Sequence, residues 1–386
     1  GFASTLLARQ LVYKHDFASY KARTLLPLDQ VSIWTMPVTY AIEQAKATFD
    51  VAVEVGDRTT ACLALRHVVM NYLARGDHLD GVLTSIERGL SYVRKAQYRD
   101  VEVIMLMQRD YVQFLRQPGN EPFSGHQFTP SALHVAEPGS AVEPIFLMQF
   151  WFGLYKGKAH FLAGEYDCAS RCFTRVATLT GLIPGHIHML DFHLYSALAL
   201  SVPLSPEAVT EEVLATFTVH LDKITTWCVE NTKTFSDKAA LLQAELLRLK
   251  GDATGAAEKY ESALALARDG QFHHIQALAC ELAARLATTT GMRFAAEAYI
   301  KGAISAWERW GAGAKVRQLE SRYPHLTTQG TQTALDTLAF EQNAEISDLQ
   351  SMVTAIRALT EEINLNRLIN TLMMMLVERA GAQHCL

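Results

Sequence analysis

The sequence predicts an all-α protein, with antiparallel helix pairs stacked into an α-solenoid and a long C-terminal coiled-coil helix after it. Two observations lead there. The first is an internal repeat. Gly251 is followed by Ala256, Tyr260 and Ala263, and 40 residues later Gly291 is followed by Ala296, Ile300 and Ala303. A helical pattern lies on both sides of each glycine: AALLQAELLRLK and AAEKYESALALA around the first, ALACELAARLATTT and AAEAYIKGAISAW around the second. A turn glycine followed by small, large and small residues describes two helices that approach at the small positions and are plugged by the large one. Fixed periods near this length mark helical arrays. The second observation is a heptad seam. Leu335, Ala339, Gln342, Ile346, Leu349, Val353, Ile356, Thr360 and Ile363 step alternately by 4 and 3, the a/d spacing of a coiled coil.

Bulk composition agrees. A chain of 386 residues is long for a single core, whereas an array of local contacts reaches this length readily. An apolar content of 49% with 19% charged residues describes a folded chain. A net charge of −5 gives no electrostatic case for nucleic acid. Apolar runs are too short to span a bilayer and no signal peptide opens the sequence, so a cytoplasmic location is expected. Gly1 in place of Met reads as a cut point. Six cysteines, none in a CxxC pair, suit a reducing compartment. Cys168 and Cys172 lie one helical turn apart and would need two further ligands to hold a metal; small buried helix residues are the alternative.

In chain order, residues 3–15 read as a helix and 24–37, with Pro27 and Pro37, as a connection. Val38 to Val55 is helical and stops at Gly56-Asp57. Ala61, Leu65 and Val68 follow at the repeat's offsets and suggest an earlier copy. Gly76-Asp77 stops the next helix, and two more run to about Leu115. Residues 117–144, rich in proline and glycine, read as a loop insertion. Phe150 to Leu179 forms a clean unit with Gly157, Gly164, Tyr166, Ala169 and Phe173. Helices near 188–201 and 206–230 follow, the second opened by Ser205-Pro206-Glu207 with serine as cap and proline in the first turn. After Trp310 a short helix ends at Pro324. The expected domains are a helical-repeat domain over 1–326, a linker and signalling coiled coil over 327–363, and the start of a further domain over 364–386. The seam residues Ile346, Leu349, Val353, Ile356 and Ile363 predict a homodimer; the alternative is an amphipathic helix packed back on the array.

Gly157, Gly164, Tyr166, Ala169 and Phe173 resemble the tetratricopeptide pattern, whose typical period is about 34 residues. The stretch from YESALALARDG to RWGAGAKVRQLESRYPHL is similar to the end of the tetratricopeptide-like region of very large signalling proteins. Those proteins join a serine/threonine-kinase-like domain, a STAND-type AAA ATPase, helical repeats, a GAF domain and usually a sensor histidine kinase. VAVEVGDRTTACLALRHVVMNYLARGDHLD, FLAGEYDCASRCF and DFHLYSALAL resemble earlier parts of that region, and DLQSMVTAIRALTEEINLNRLINTLMMMLVERAGAQHCL its signalling helix and the start of its GAF domain. The resemblance implies a regulatory module without catalysis of its own, relaying input from the repeats through a dimeric coiled coil to GAF and histidine-kinase-like output domains. Its partners would be a protein or peptide, or the parent's own ATPase or kinase-like domains.

The residues themselves carry no phosphate-binding GxxxxGK[ST] loop, HExxH or GxSxG, so no catalytic residue and no cofactor are expected. His186, His188, Asp191 and His193 form a weak metal candidate, because one helix face does not hold all four. His273-His274 opens a helix with the two rings pointing apart. Trp307 and Trp310, one turn apart, read as a plug for the apolar core, or as an aromatic pair for a ligand. Solenoids bind along the concave face lined by the first helix of each pair. The polar positions left there are Lys158, Glu245, Arg248, Glu281 and Arg285, a mixed-charge groove for a peptide or domain, or ordinary solvated residues. The second functional reading is a small-molecule or metal sensor with a pocket inside the superhelix.

Overall fold

The computed structural model describes residues 1–117, 143–183 and 185–326. The chain divides into two compact units, Gly1–Arg322 and Tyr323–Leu386. Of the second, only residues 323–326 are described, with the rings of Tyr323 and His325 6.4 Å apart. The predicted loop over 117–144 falls almost wholly outside the described residues, and the heptad seam over 335–363 and residues 364–386 do so entirely.

Among its described residues the first unit is all α-helical. Its helices are α1 (Phe2–Lys14), α2 (Ala18–Ser32), α3 (Val38–Glu54), α4 (Arg58–Arg75), α5 (Leu79–Lys95), α6 (Arg99–Arg116), α7 (Glu143–Ala163) and α8 (Tyr166–Ala177). They continue with α9 (His188–Ser201), α10 (Glu211–Glu230), α11 (Thr232–Leu249), α12 (Ala253–Asp269), α13 (His273–Thr289), α14 (Arg293–Trp310) and α15 (Gly313–Arg322). Consecutive helices pack on one another, as the repeat predicts. Ala256, Tyr260 and Ala263 of α12, and Ile300 and Ala303 of α14, are buried. Tyr260 reaches Glu245 on the partner helix α11, and burial of a side chain such as Ile300 is worth about 1.5–3 kcal/mol. The turn glycines Gly56, Gly164, Gly251 and Gly291 all have positive φ, the left-handed conformation that ends one helix and turns the chain into the next.

Two local expectations are corrected. The predicted connection over 24–37 is largely helix, because α2 runs through Pro27 to Ser32. Leu25 and Leu28 bury a continuous face, and that tertiary packing outweighs the hydrogen bond proline cannot make. Ser205-Pro206-Glu207 opens only a three-residue 3₁₀ turn. The helix starts later, where the Thr210 side chain accepts from the Val213 N–H at 3.3 Å.

Alternate helices also meet, α2 with α4 with α6, and α7 with α9 with α11 with α13, forming one inner row in each half of the chain. Repeats of an open solenoid touch only their neighbours. Here the two halves of the chain also bond across long sequence separations. Asn231 Nδ2 donates to Ile33 O at 2.9 Å and to Met36 O at 2.6 Å. Trp34 Nε1 donates to Gly185 O at 3.0 Å, and Arg317 Nη2 to Arg116 O at 3.1 Å. The ring of His274 on α13 lies against Gly76 at the end of α4, where a Cβ would come within 2.3 Å of Nδ1. The inner side of the array is therefore occupied by the other half of the same chain.

Candidate functional site

Glu245, Arg248 and Arg285 lie together. They line a cleft of about 380 Å³ between α11, α13 and the turn 202–207 that follows α9. The buried Leu282 and Leu286 give it an apolar floor, Leu204 is half-buried, and Pro203, Glu207, Thr289 and Thr290 are exposed at its edges. The two arginines hold the turn in place. Arg248 donates from Nη1 to Leu204 O at 2.8 Å and from Nη2 to Ser201 O at 2.7 Å, and Arg285 Nη2 donates to Val202 O at 2.6 Å. Ser201 and Val202 are the last residue and the C-cap of α9, and Ser201 O also accepts the Leu204 N–H at 3.1 Å. Glu245 is buried, 2.7 Å from the Arg248 guanidinium, and accepts the Tyr260 hydroxyl. Burial, reinforced by the Glu245 carboxylate, pushes the Tyr260 hydroxyl well above its ordinary range.

The other two predicted groove residues are engaged inside the molecule. Glu281 accepts from Trp307 Nε1 at 2.6 Å and pairs with Lys315 Nζ at 3.0 Å, which joins α13, α14 and α15. Trp307 and Trp310 are both buried, their rings 5.6 Å apart. Lys158 pairs with Asp191 at 2.5 Å, with its Nζ 5.0 Å from the ring centre of Tyr111 and 5.2 Å from that of Tyr195.

A second polar constellation lies where the inner rows meet. His67 Nδ1 is 2.9 Å from Asp29, and its Nε2 is 2.6 Å from Arg66 Nη2 and 3.2 Å from Gln30 Nε2. The guanidinium and the amide nitrogen only donate, so His67 carries its proton on Nδ1 and donates to Asp29. Likewise His188 Nδ1 accepts from Trp151 Nε1 at 3.3 Å, which leaves Nε2–H facing the Tyr155 hydroxyl at 3.0 Å. Burial, with Arg66 adding repulsion, drives His67 well below the ordinary histidine range; burial and then His186 do the same to His188. Burial pushes the Asp29 carboxyl well up. Arg66 also stacks 4.8 Å from the Trp151 ring. Four polar atoms here have no protein partner: Arg66 Nε, Gln108 Oε1, Tyr111 OH and His186 Nδ1.

The four residues of the histidine cluster read from the sequence do not converge on one point, although the rings of His186 and His188 stay 6.3 Å apart. His186 lies 3.4 Å from Gln30 Nε2, His188 meets Trp151 and Tyr155, Asp191 meets Lys158, and His193 faces His220 at 2.9 Å. Among the described residues, potential ligand atoms of three side chains gather within 4.8 Å at His160, Glu165 and Cys168, on the turn between α7 and α8. Asp29, Arg66, His67, Trp151 and Tyr155 were not singled out from the sequence. The one available signal was Arg66-His67 in the middle of ACLALRHVVM, a polar pair between apolar runs.

No protein-family model matches the chain, and no curated protein matches it.

Proposed function

We propose that the chain is a non-catalytic, cytoplasmic protein-interaction module of a large multidomain signalling protein, of the tetratricopeptide-like, STAND ATPase, GAF and histidine-kinase type its sequence resembles. Input bound by the helical repeats would bias the packing of the C-terminal helix and so the output domains, a two-state relay. The observation that carries the reading is the cleft at Glu245, Arg248 and Arg285. Three polar positions assigned to the binding face by repeat register line one cavity with an apolar floor. That combination suits one apolar side chain of a peptide or neighbouring domain, with an acidic group beside it to meet Arg285.

Peptides selected by display on the intact chain test this. Binders should carry an apolar anchor next to Asp or Glu. They should lose at least about tenfold in affinity for Thr289→Trp, which fills the cleft from its exposed edge, a loss of about 1.4 kcal/mol. Binders indifferent to Thr289→Trp and Arg285→Glu would place the interaction elsewhere.

The second reading, a small-molecule sensor, has its own support in the four unpartnered polar atoms around Arg66 and His186, since buried polar groups normally have a protein, water or ligand partner. A rise in unfolding temperature with one member of a metabolite panel, abolished by His186→Phe, would favour it over the peptide module.

A further inference from the structure

We propose that His160, Glu165 and Cys168 form a binding site for a zinc-class divalent cation at the turn between α7 and α8. Cysteines 168 and 172 alone are an incomplete ligand set; the fold brings a histidine and a carboxylate to the first of them. The turn is tightly built. Gly164 has a φ of 89°, and the Glu165 N–H donates back to His160 O at 2.9 Å. The last turn of α7 is thereby laid over the first turn of α8, where Glu165 is the N-cap residue and Cys168 lies in the first turn. The Phe161 ring packs 5.5 Å from Tyr166 and 5.4 Å from Tyr195, which fixes the adjoining backbone.

His160 Nδ1 lies 2.5 Å from Glu165 Oε2, and ligand atoms of all three residues stand within 4.8 Å of one another. The imidazole side chain is 14% exposed and the carboxylate 50%, so the ring is held while solvent reaches the site. Zinc takes nitrogen, oxygen and sulfur ligands at about 2.0–2.3 Å, which sets tetrahedral neighbours about 3.3–3.7 Å apart. Small rotations of the Glu165 and Cys168 side chains meet that spacing. A neutral imidazole, a carboxylate and a thiolate balance the charge of the ion, and three protein ligands leave the fourth position to water. One contact competes: Arg171 Nη2 lies 3.1 Å from Cys168 Sγ and has to give way to the ion. The bound cation would staple α7 to α8.

Cobalt titration of the full chain, stripped beforehand with a chelator, tests the site. The expected result is a thiolate-to-cobalt charge-transfer band that saturates at one equivalent and is displaced by zinc. Cys168→Ser should abolish the band and Cys172→Ser leave it. His160→Ala and Glu165→Gln should each weaken zinc binding at least about tenfold, the loss that even outer-sphere changes produce. Helix content by circular dichroism should be the same in all four variants. No band in the wild type, or a band that survives Cys168→Ser, overturns the proposal and leaves His160 and Glu165 as a hydrogen-bonded pair.

Discussion

His193 and His220 face each other through Nδ1 atoms 2.9 Å apart, a contact in which one ring donates and the other, neutral at that nitrogen, accepts. Burial, with repulsion from His220 and Lys223, pulls His193 down to about 3, and burial pulls His220 down to about 4. In the unfolded chain both titrate near 6.5. Above about pH 6.5 both states are neutral and the pair adds no pH dependence. As the pH falls from there towards about 4, the unfolded chain binds protons the native pair refuses, so stability drops by up to about 1.4 kcal/mol per pH unit for each ring. Replacing both by glutamine should flatten that slope, measured as the difference in urea unfolding free energy between pH 7 and pH 5. Equal slopes in variant and wild type would mean that the native pair protonates normally. His67, His188 and His274 are shifted in the same direction, so a residual slope is expected. At this scale the sequence was a poor guide. GHIHMLDFH shows imidazoles close in the chain, but the groups they meet, Trp151, Tyr155, Lys158 and His220, lie on α7 and α10, and local spacing does not reveal them.

The helices were far more legible, because many are bounded by chemistry local to their own ends. Asp252 accepts from the Gly255 N–H at 2.9 Å and caps α12, and Asp57 does the same for α4 through Thr60 at 3.0 Å. Glycine turns separate the paired helices, and small and large residues recur in register. The reading failed where packing overrode local preference, at Pro27 inside α2, and where a proline start signal yielded only a 3₁₀ turn before Thr210. Two glycines separate the local contribution from the tertiary one. Gly291 has a φ of 78° and open space around its missing Cβ. Gly291→Ala should therefore cost only the backbone penalty of a left-handed residue, about 1–2 kcal/mol. Gly76 has a φ of 81°, and a Cβ there would also meet the His274 ring at 2.3 Å. Gly76→Ala should cost distinctly more, by the typical overpacking penalty of about 1–3 kcal/mol, and His274→Ala in the same chain should recover part of the difference. Equal losses by chemical denaturation would show that α4 and α13 do not press on each other.

For the whole molecule, the repeat foretold consecutive pairing but not the meeting of the two inner rows. Residues such as Asn231 and Ile33, 198 positions apart, share no periodicity, and a helix that lines a groove has the same apolar stripe as one that lines a core. The polar positions given to a concave face therefore divide: Glu245, Arg248 and Arg285 edge a cleft, whereas Lys158 and Glu281 are taken up in ion pairs with Asp191 and Lys315. Assembly is the remaining expectation at this scale, and it concerns residues 335–363, outside those described. The seam Ile346, Leu349, Val353, Ile356 and Ile363 repeats at heptad spacing. Leaving it in water would forfeit about 25 cal/mol for each Å² of apolar surface. A parallel homodimer removes that surface, and it suits the proposed relay, since paired output domains must emerge at one end. Gln342 and Thr360 would weaken such a seam while favouring one register. The wild type should sediment as a dimer at tens of micromolar (roughly the range of a weak coil), while Leu349→Asp with Ile356→Asp should give a monomer whose repeat helices keep their circular dichroism. A wild type already monomeric at that concentration would mean that the helix covers its stripe within its own chain, and a relay through paired coils would then lose its physical basis.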